Sequence, residues 1–238
     1  MLHATKGIVL RTIKYGETSI VVNIYTELFG IQSYLVNGVR TEKKSSTKAN
    51  IYQPTKLIDL IVYHTAHKNL QRIKEAKLWS INNAIHISVI KNTIAIYIVE
   101  LIQKAISEPE TNEDLFSFFL ESFAHIYNTN EKELANFPIE FTLEFATHLG
   151  FGMQNNFSEK NTFFDLQNGR YVTEESSFTL NKNYSKLLFK ISMNDCADIN
   201  ILSHERLYIL QTCIKYLQFH IPHLSELKSV QILHDILH

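Results

Sequence analysis

From Thr5 to Ala76 apolar residues recur mostly at every second position or in short β-branched runs, whereas beyond Trp79 they return at helical spacing. The first stretch reads as five strands: Lys6 to Tyr15, Ser19 to Thr26, Ile31 to Asn37, Ile51 to His64 and Leu70 to Lys77. Gly16-Glu17-Thr18 and Glu27-Leu28-Phe29-Gly30 supply tight turns, and His64 to Asn69 a polar final connection. Strands of this length bury one face each only if the sheet curls, so a small, closed or nearly closed barrel of the OB type is expected.

The helical stretch begins with Ile81, Ile85 and Ile87 and runs through Ile94, Ile98, Leu101 and Ile102, ending before Pro109. Thr111-Asn112-Glu113-Asp114 is an N-terminal signal for a helix carrying Leu115, Phe118, Phe119 and Phe123, with acids placed to suit its dipole. Phe137-Pro138 opens another helix, closed by Gly150. Helical spacing returns from Ser203 through Leu207, Leu210, Ile214 and Leu217 and stops at Ile221-Pro222. A last helix takes Leu224 or Leu227, Ile232, Leu233 and Ile236. Between the helices, Asn168-Gly169 lies between apolar flanks and reads as a hairpin turn. The fold class is therefore α+β: a five-stranded OB-like barrel over residues 1–80, then a mainly helical domain over 81–238 with a hairpin insert at about 151–175. The phenylalanines of the helices are assigned to the core.

Charge divides the chain at the same place. Residues 1–80 hold 12 Lys and Arg against 5 Asp and Glu, about +7, and the remainder 11 against 19, about −8. The net of −1 for all 238 residues hides a basic module. Such a barrel suits a polyanion. The loop Gly38 to Lys48 places Arg40, Lys43, Lys44 and Lys48 among serines and threonines, a composition that fits phosphates through counterion release, with little sequence preference. On the strands, Arg11 and Lys14, then Arg72 and Lys74, add cations. Arg11 shares a face with Tyr15, and Arg72 with Lys74. In the second strand Ile20, Val22 and Ile24 occupy one side, so Tyr25 points away from the core and is a candidate base-stacking residue.

The residues give little sign of catalysis. No Gly-rich phosphate loop, HExxH, GxSxG or paired-carboxylate motif stands out. Cys196 and Cys213 lack the spacing of a zinc site or disulfide framework, and the pairs His64/His67 and His220/His223 lack further ligands, so neither metal nor cofactor is expected. No apolar run is long enough to span a bilayer, and the start lacks a leader pattern, giving a cytoplasmic expectation. From the residues alone, a DNA-binding protein competes with an RNA-binding OB protein, a protein-interaction scaffold and, least, a zinc-independent hydrolase with a scattered active site.

Lys6-Gly7-Ile8-Val9-Leu10-Arg11, Tyr15-Gly16-Glu17-Thr18-Ser19, Tyr25-Thr26, Gly30 and Val36-Asn37-Gly38-Val39-Arg40 together resemble the N-terminal barrel of the bacterial recombination mediator family RecO. Arg206-Leu207, Phe219-His220-Ile221-Pro222 and Glu226-Leu227-Lys228-Ser229 resemble its closing helices. The resemblance implies a nucleoid-associated bacterial repair protein without an enzymatic centre. It implies binding to single- and double-stranded DNA, strand annealing, contact with the C-terminal tail of single-stranded DNA-binding protein (SSB), and union with RecR to help load RecA. It carries Arg11, Arg40, Lys43 and Lys44 over as a DNA surface; charge adds Lys48 and Arg72. For the acidic SSB tail, which wants an apolar pocket rimmed by cations, the candidates are Arg206, Lys215 and Lys228. Many members of the family have a four-cysteine zinc module where Gly152 to Val172 here has no cysteine. A metal-free remnant packed through Phe157, Phe163, Phe164 and Tyr171 is expected instead.

Overall fold

The computed structural model describes residues 1–39, 49–79, 88–107, 110–193 and 201–237. Five strands close into a barrel: β1 (Leu2–Tyr15), β2 (Ser19–Thr26), β3 (Gly30–Val36), β4 (Leu57–Tyr63) and β5 (Leu70–Leu78). The order around it is β1-β2-β3-β5-β4, with β4 returning to β1. Neighbours are antiparallel except β3 and β5. The 14-residue β1 serves two partners, β4 along Leu2 to Ile8 and β2 along Gly7 to Tyr15. A bulge between Val9 and Arg11 lies just past the changeover, and the added bend and twist help the sheet to close. Val9, Ile20, Val22, Ile24, Tyr34, Ile58, Leu60 and Val62 fill the interior. This is the OB barrel that the alternating pattern predicted.

One expected strand is shorter than its pattern. β4 begins at Leu57, not Ile51, because Ile51 is helical and residues 52–55 turn: Thr55 has φ +73° and Lys56 N–H donates to the Gln53 carbonyl at 3.3 Å. Pro54 there has no donor for a ladder. Tyr52 is nonetheless buried in the barrel core, so its apolar signal came from a plug at the barrel end.

By packing, the chain forms two compact units, Met1–Asn128 and Thr129–His238. The first contains the barrel together with α1 (Val89–Ala105) and α2 (Glu113–Asn128). Ser88 caps α1 by accepting from Lys91 N–H at 3.1 Å, and Asn112 caps α2 by accepting from Leu115 N–H at 2.9 Å. Glu113 and Asp114 occupy the first turn of α2, as anticipated. Gly30 is required twice, by its φ of +58° and because a Cβ there would lie 2.3 Å from the Glu110 carbonyl oxygen.

The second unit holds a 3-10 turn (Glu131–Ala135), α3 (Phe137–His148), the hairpin β6 (Phe163–Asp165) and β7 (Arg170–Val172), α4 (Lys182–Ser192), α5 (Ser203–His220) and α6 (Ser229–Ile236). Packing of α3 on α5 forms its centre. Phe141 and Phe145 are buried and stacked at 5.9 Å, as assigned from their spacing. The hairpin turn spans Leu166 to Gly169, longer than a two-residue turn, and closes by Gly169 N–H on the Asp165 carbonyl at 2.9 Å. Among the described residues no helix is long and apolar enough to cross a membrane.

Candidate nucleic-acid interface

Strand register assembles the outer face of the barrel in rows. Ile8, Tyr25 and Ile31 form one; Arg11, Asn23, Ser33 and Leu70 the next; Ile13, Val21, Leu35 and Arg72 the third. The first row is closed. Tyr25 does face away from the barrel interior, but it is only 1% exposed, with Phe116 and Phe119 of α2 at 6.0 and 5.2 Å from its ring. Burial pushes its hydroxyl pKa up to about 12. Its expected role as a stacking platform is therefore corrected: β-alternation reports which side of a sheet a residue is on, not what another element lays over that side.

The other two rows are open. Arg11 on β1 and Arg72 on β5 are exposed, separated by three strand spacings counted through β2 and β3, roughly 14 Å along the sheet. Between them lie the half-buried Val21 and Leu35 and a polar step in which Ser33 Oγ donates to Asn23 Oδ1 at 3.0 Å. Two aromatic rings stand at the borders. Tyr15, on the face of Arg11, is 56% exposed, and Tyr63, the register partner of Arg72, is 50% exposed. Tyr63 was not singled out from the sequence, although the outward alternation Asp59, Ile61, Tyr63 carried the signal.

Lys14 pairs with inward-facing Ile20 and is exposed at the end of the barrel. Lys74 is exposed but falls at an irregularity in β5, so that Glu75, not Lys74, follows Arg72 on the outer face. One inserted residue reverses the alternation. Arg40, Lys43, Lys44 and Lys48 lie outside the described residues. The residues bracketing that segment are fixed: Val39 N–H donates to the Thr18 carbonyl at 2.9 Å, and Thr12 Oγ1 donates to the Tyr52 carbonyl.

Two clefts flank the rows. One of about 940 Å³ mixes Lys6, Arg72, Lys74 and Lys77 with Glu27, Asp59 and Glu75, so its field is nearly balanced. Lys6 is itself engaged, 3.7 Å from Glu27 and 5.9 Å above the Trp79 ring. The other, of about 740 Å³, lies along the β4–β5 connection and is lined by Gln32, His64, His67 and Lys68. There His64 stacks on Phe29 at 3.9 Å and 7°, His3 meets Phe29 edge-on, and His64 Nδ1 is buried without a partner. Desolvation lowers the His64 pKa, with His3 and the N-terminal ammonium adding to it.

In the second unit, Arg206 stands at an apolar dimple of about 30 Å³ lined by Pro138, Ile139, Leu207, Leu210, Val230, Leu233, His234 and Leu237. Its guanidinium donates to the Ile201 carbonyl, and burial lowers its pKa. Lys228 is exposed at the N-cap of α6, the helix that supplies Val230 and Leu233. Lys215 is exposed on α5 but lies nine residues from Arg206, about 14 Å along the axis and half a turn around it. It does not share the dimple.

The hairpin region lacks the donors for zinc. No cysteine falls between Gly152 and Val172, and among the described residues no three His, Cys, Asp or Glu side chains converge. Aromatic packing holds it: Phe157 stacks on Phe189 at 4.8 Å and meets Tyr171 edge-on, while Phe164 contacts Tyr171 and Tyr216. Asn156 bonds both backbone groups of Tyr171 at 2.8 Å. Cys213 is buried nearby, and desolvation raises its thiol pKa to about 12.

Two family descriptions match the chain in sequence: Recombination protein O N terminal over residues 1–82 and Recombination protein O C terminal over residues 88–230. The DNA repair protein RecO of Flavobacterium psychrophilum is 32% identical over 235 residues, covering 98% of each chain. Those of Azobacteroides pseudotrichonymphae and Bacteroides fragilis are each 31% identical and cover 99% of both chains. An OB barrel joined to a helical region, matched along nearly its whole length by these relatives, places this chain in the RecO family of DNA repair proteins.

Proposed function

We propose that this protein is a recombination mediator that binds single- and double-stranded DNA, promotes annealing, and helps load recombinase onto SSB-coated strands. The observation that carries the reading is the open part of the barrel's outer face, where Arg72 ends the row Ile13–Val21–Leu35, Arg11 begins the adjacent row, and Tyr15 and Tyr63 present their rings. Cations on β1 and β5 engage the phosphates of a strand laid across the face, and the rings stack on its bases. Neutralised phosphates repel a second strand less, while base edges not engaged by the protein stay free to pair. This is a binding function and calls for no catalytic group.

Recruitment falls to the second unit. An acidic tail ending in an aromatic residue fits the dimple beside Arg206: its carboxylates meet the guanidinium, with Lys228 at the start of α6, and its ring enters among Leu207, Leu210 and Leu233 after His234 and Leu237 move aside. RecR is the other expected partner.

The test is DNA titration against salt with the full chain. Arg11→Gln with Arg72→Gln lowers the slope of log affinity against log salt on duplex by about 2 and slows annealing. Replacing Lys43, Lys44 and Lys48 by Ala lowers it further. A wild-type protein that ignores oligonucleotides in dilute buffer, or that prefers RNA in competition, overturns the reading. Arg206→Ala weakens capture of an SSB-tail peptide without changing the salt slope.

A further inference from the structure

The second unit is acidic, with 9 Lys and Arg against 13 Asp and Glu over residues 129–238, yet three of those cations gather on one helix. Lys182, Lys186 and Lys190 occupy an arc of about 80° on α4, each rising about 6 Å above the last. Lys182 and Lys186 are exposed and Lys190 half-exposed, while Ser185, Leu188 and Ile191 hold the opposite side in the core. The helix has no acidic residue. None of the three makes an ion pair among the described residues; Lys182 alone has a partner, the Phe163 ring at 5.7 Å.

Lys190, in the last turn, suits the helix dipole, but local stability does not account for the row as a whole. A cation at the first helical position opposes the helix dipole, and like charges four apart repel. Solubility asks for interspersed signs, which the exposed Glu159, Glu174 and Glu175 already supply to this unit. A row of mutually repelling ammonium groups is relieved by a linear polyanion. Its spacing is comparable to that between neighbouring phosphates of a nucleic-acid strand.

We propose that the Lys182–Lys186–Lys190 face of α4 is a second nucleic-acid contact, which takes the sugar-phosphate backbone of a strand independently of the barrel. The inference rests on the DNA-binding reading above and adds to it the surface that annealing otherwise lacks, a place for another strand. The contact is with phosphates alone, so it is blind to sequence and weakens steeply with salt.

The experiment compares full-length wild type with K182Q/K186Q/K190Q, the matching triple Lys→Arg variant and R11Q/R72Q, by DNA anisotropy against salt and by annealing rate. The triple Gln variant should keep its melting temperature to within a few degrees, lose about 2.7 from the duplex salt slope, and anneal more slowly; the Arg variant should match wild type. K186Q/K190Q, which spares the Phe163 contact, should lose about 1.8. Combined with R11Q/R72Q, the losses should add. An unchanged slope and annealing rate in the triple Gln variant, with R11Q/R72Q impaired, overturns this inference and leaves the barrel reading standing. So does a loss confined to polyglutamate or to phosphatidylglycerol vesicles. Absence of DNA binding by the wild type overturns both.

Discussion

In the barrel a side chain's surroundings begin with its place in a hydrogen-bonded ladder, so the row Ile13–Val21–Leu35–Arg72 is fixed by register across four strands. In the C-terminal unit the β6–β7 hairpin has three residue pairs and depends on side chains reaching in from outside, Asn156 on the Tyr171 backbone and Phe157 against Phe189. The contrast extends to charge. The barrel presents its cations on separate strands of its outer face, whereas the C-terminal unit concentrates three of its own on a single helix. A ladder sets many positions at once and tolerates a local loss. A hairpin with a ladder of only three pairs concentrates its stability in a few contacts.

The largest test of that contrast is Tyr25→Ala. Because α2 covers the ring, the variant should lose roughly 3 to 5 kcal/mol in urea unfolding, while Tyr25→Phe should keep DNA affinity intact. A binding defect with normal stability would instead return Tyr25 to the DNA surface. Next is Gly169→Ala. With φ at +62° and a Cβ that would lie 2.6 Å from the Tyr216 hydroxyl, it should destabilise the C-terminal unit by about 2 to 3 kcal/mol. Asn156→Ala, which removes both bonds to Tyr171, should cost about 1 to 2 kcal/mol by the same measurement.

A smaller effect is expected from His64, whose pKa is lowered chiefly by burial, then by His3 and the N-terminal ammonium. The neutral ring is the form the fold holds. Its contribution is complete above the unfolded histidine pKa, about 6.5, and is lost as the pH falls through that value toward the depressed folded one. His64→Phe, which keeps a ring against Phe29, should flatten the fall of melting temperature below about pH 6.5. The smallest effect is none: dialysis against a chelator should leave the melting temperature unchanged, since the hairpin is held by Phe157, Phe164 and Tyr171. A drop on chelation would break the contrast between ladder and aromatic packing.

Much of the architecture was legible because it is local. The cap at Asn112, the Phe137-Pro138 start and the Gly150 stop are each specified within a turn of chain, and the structure keeps them. α4 escaped the sequence reading. The stripe was there to read, since Tyr184, Leu187, Leu188 and Ile191 fall at helical spacing opposite Lys182, Lys186 and Lys190, and Asn181 caps the helix by accepting from Tyr184 N–H at 3.0 Å. Tyr52 erred the other way, because an apolar plug and an apolar strand position look alike in sequence.

The sequence by itself determined the strand alternation, the helix ends, the basic first 80 residues and the absence of zinc-binding cysteines, since each depends on neighbours along the chain or on composition. Only the tertiary structure decided which outward positions remain open. Tyr25 and Arg11 are equally outward by alternation, but α2 covers the first and not the second, and Lys74 loses its place beside Arg72 through one irregular residue in β5. Exposure is settled by what packs from a distance, and no periodicity within a strand encodes it.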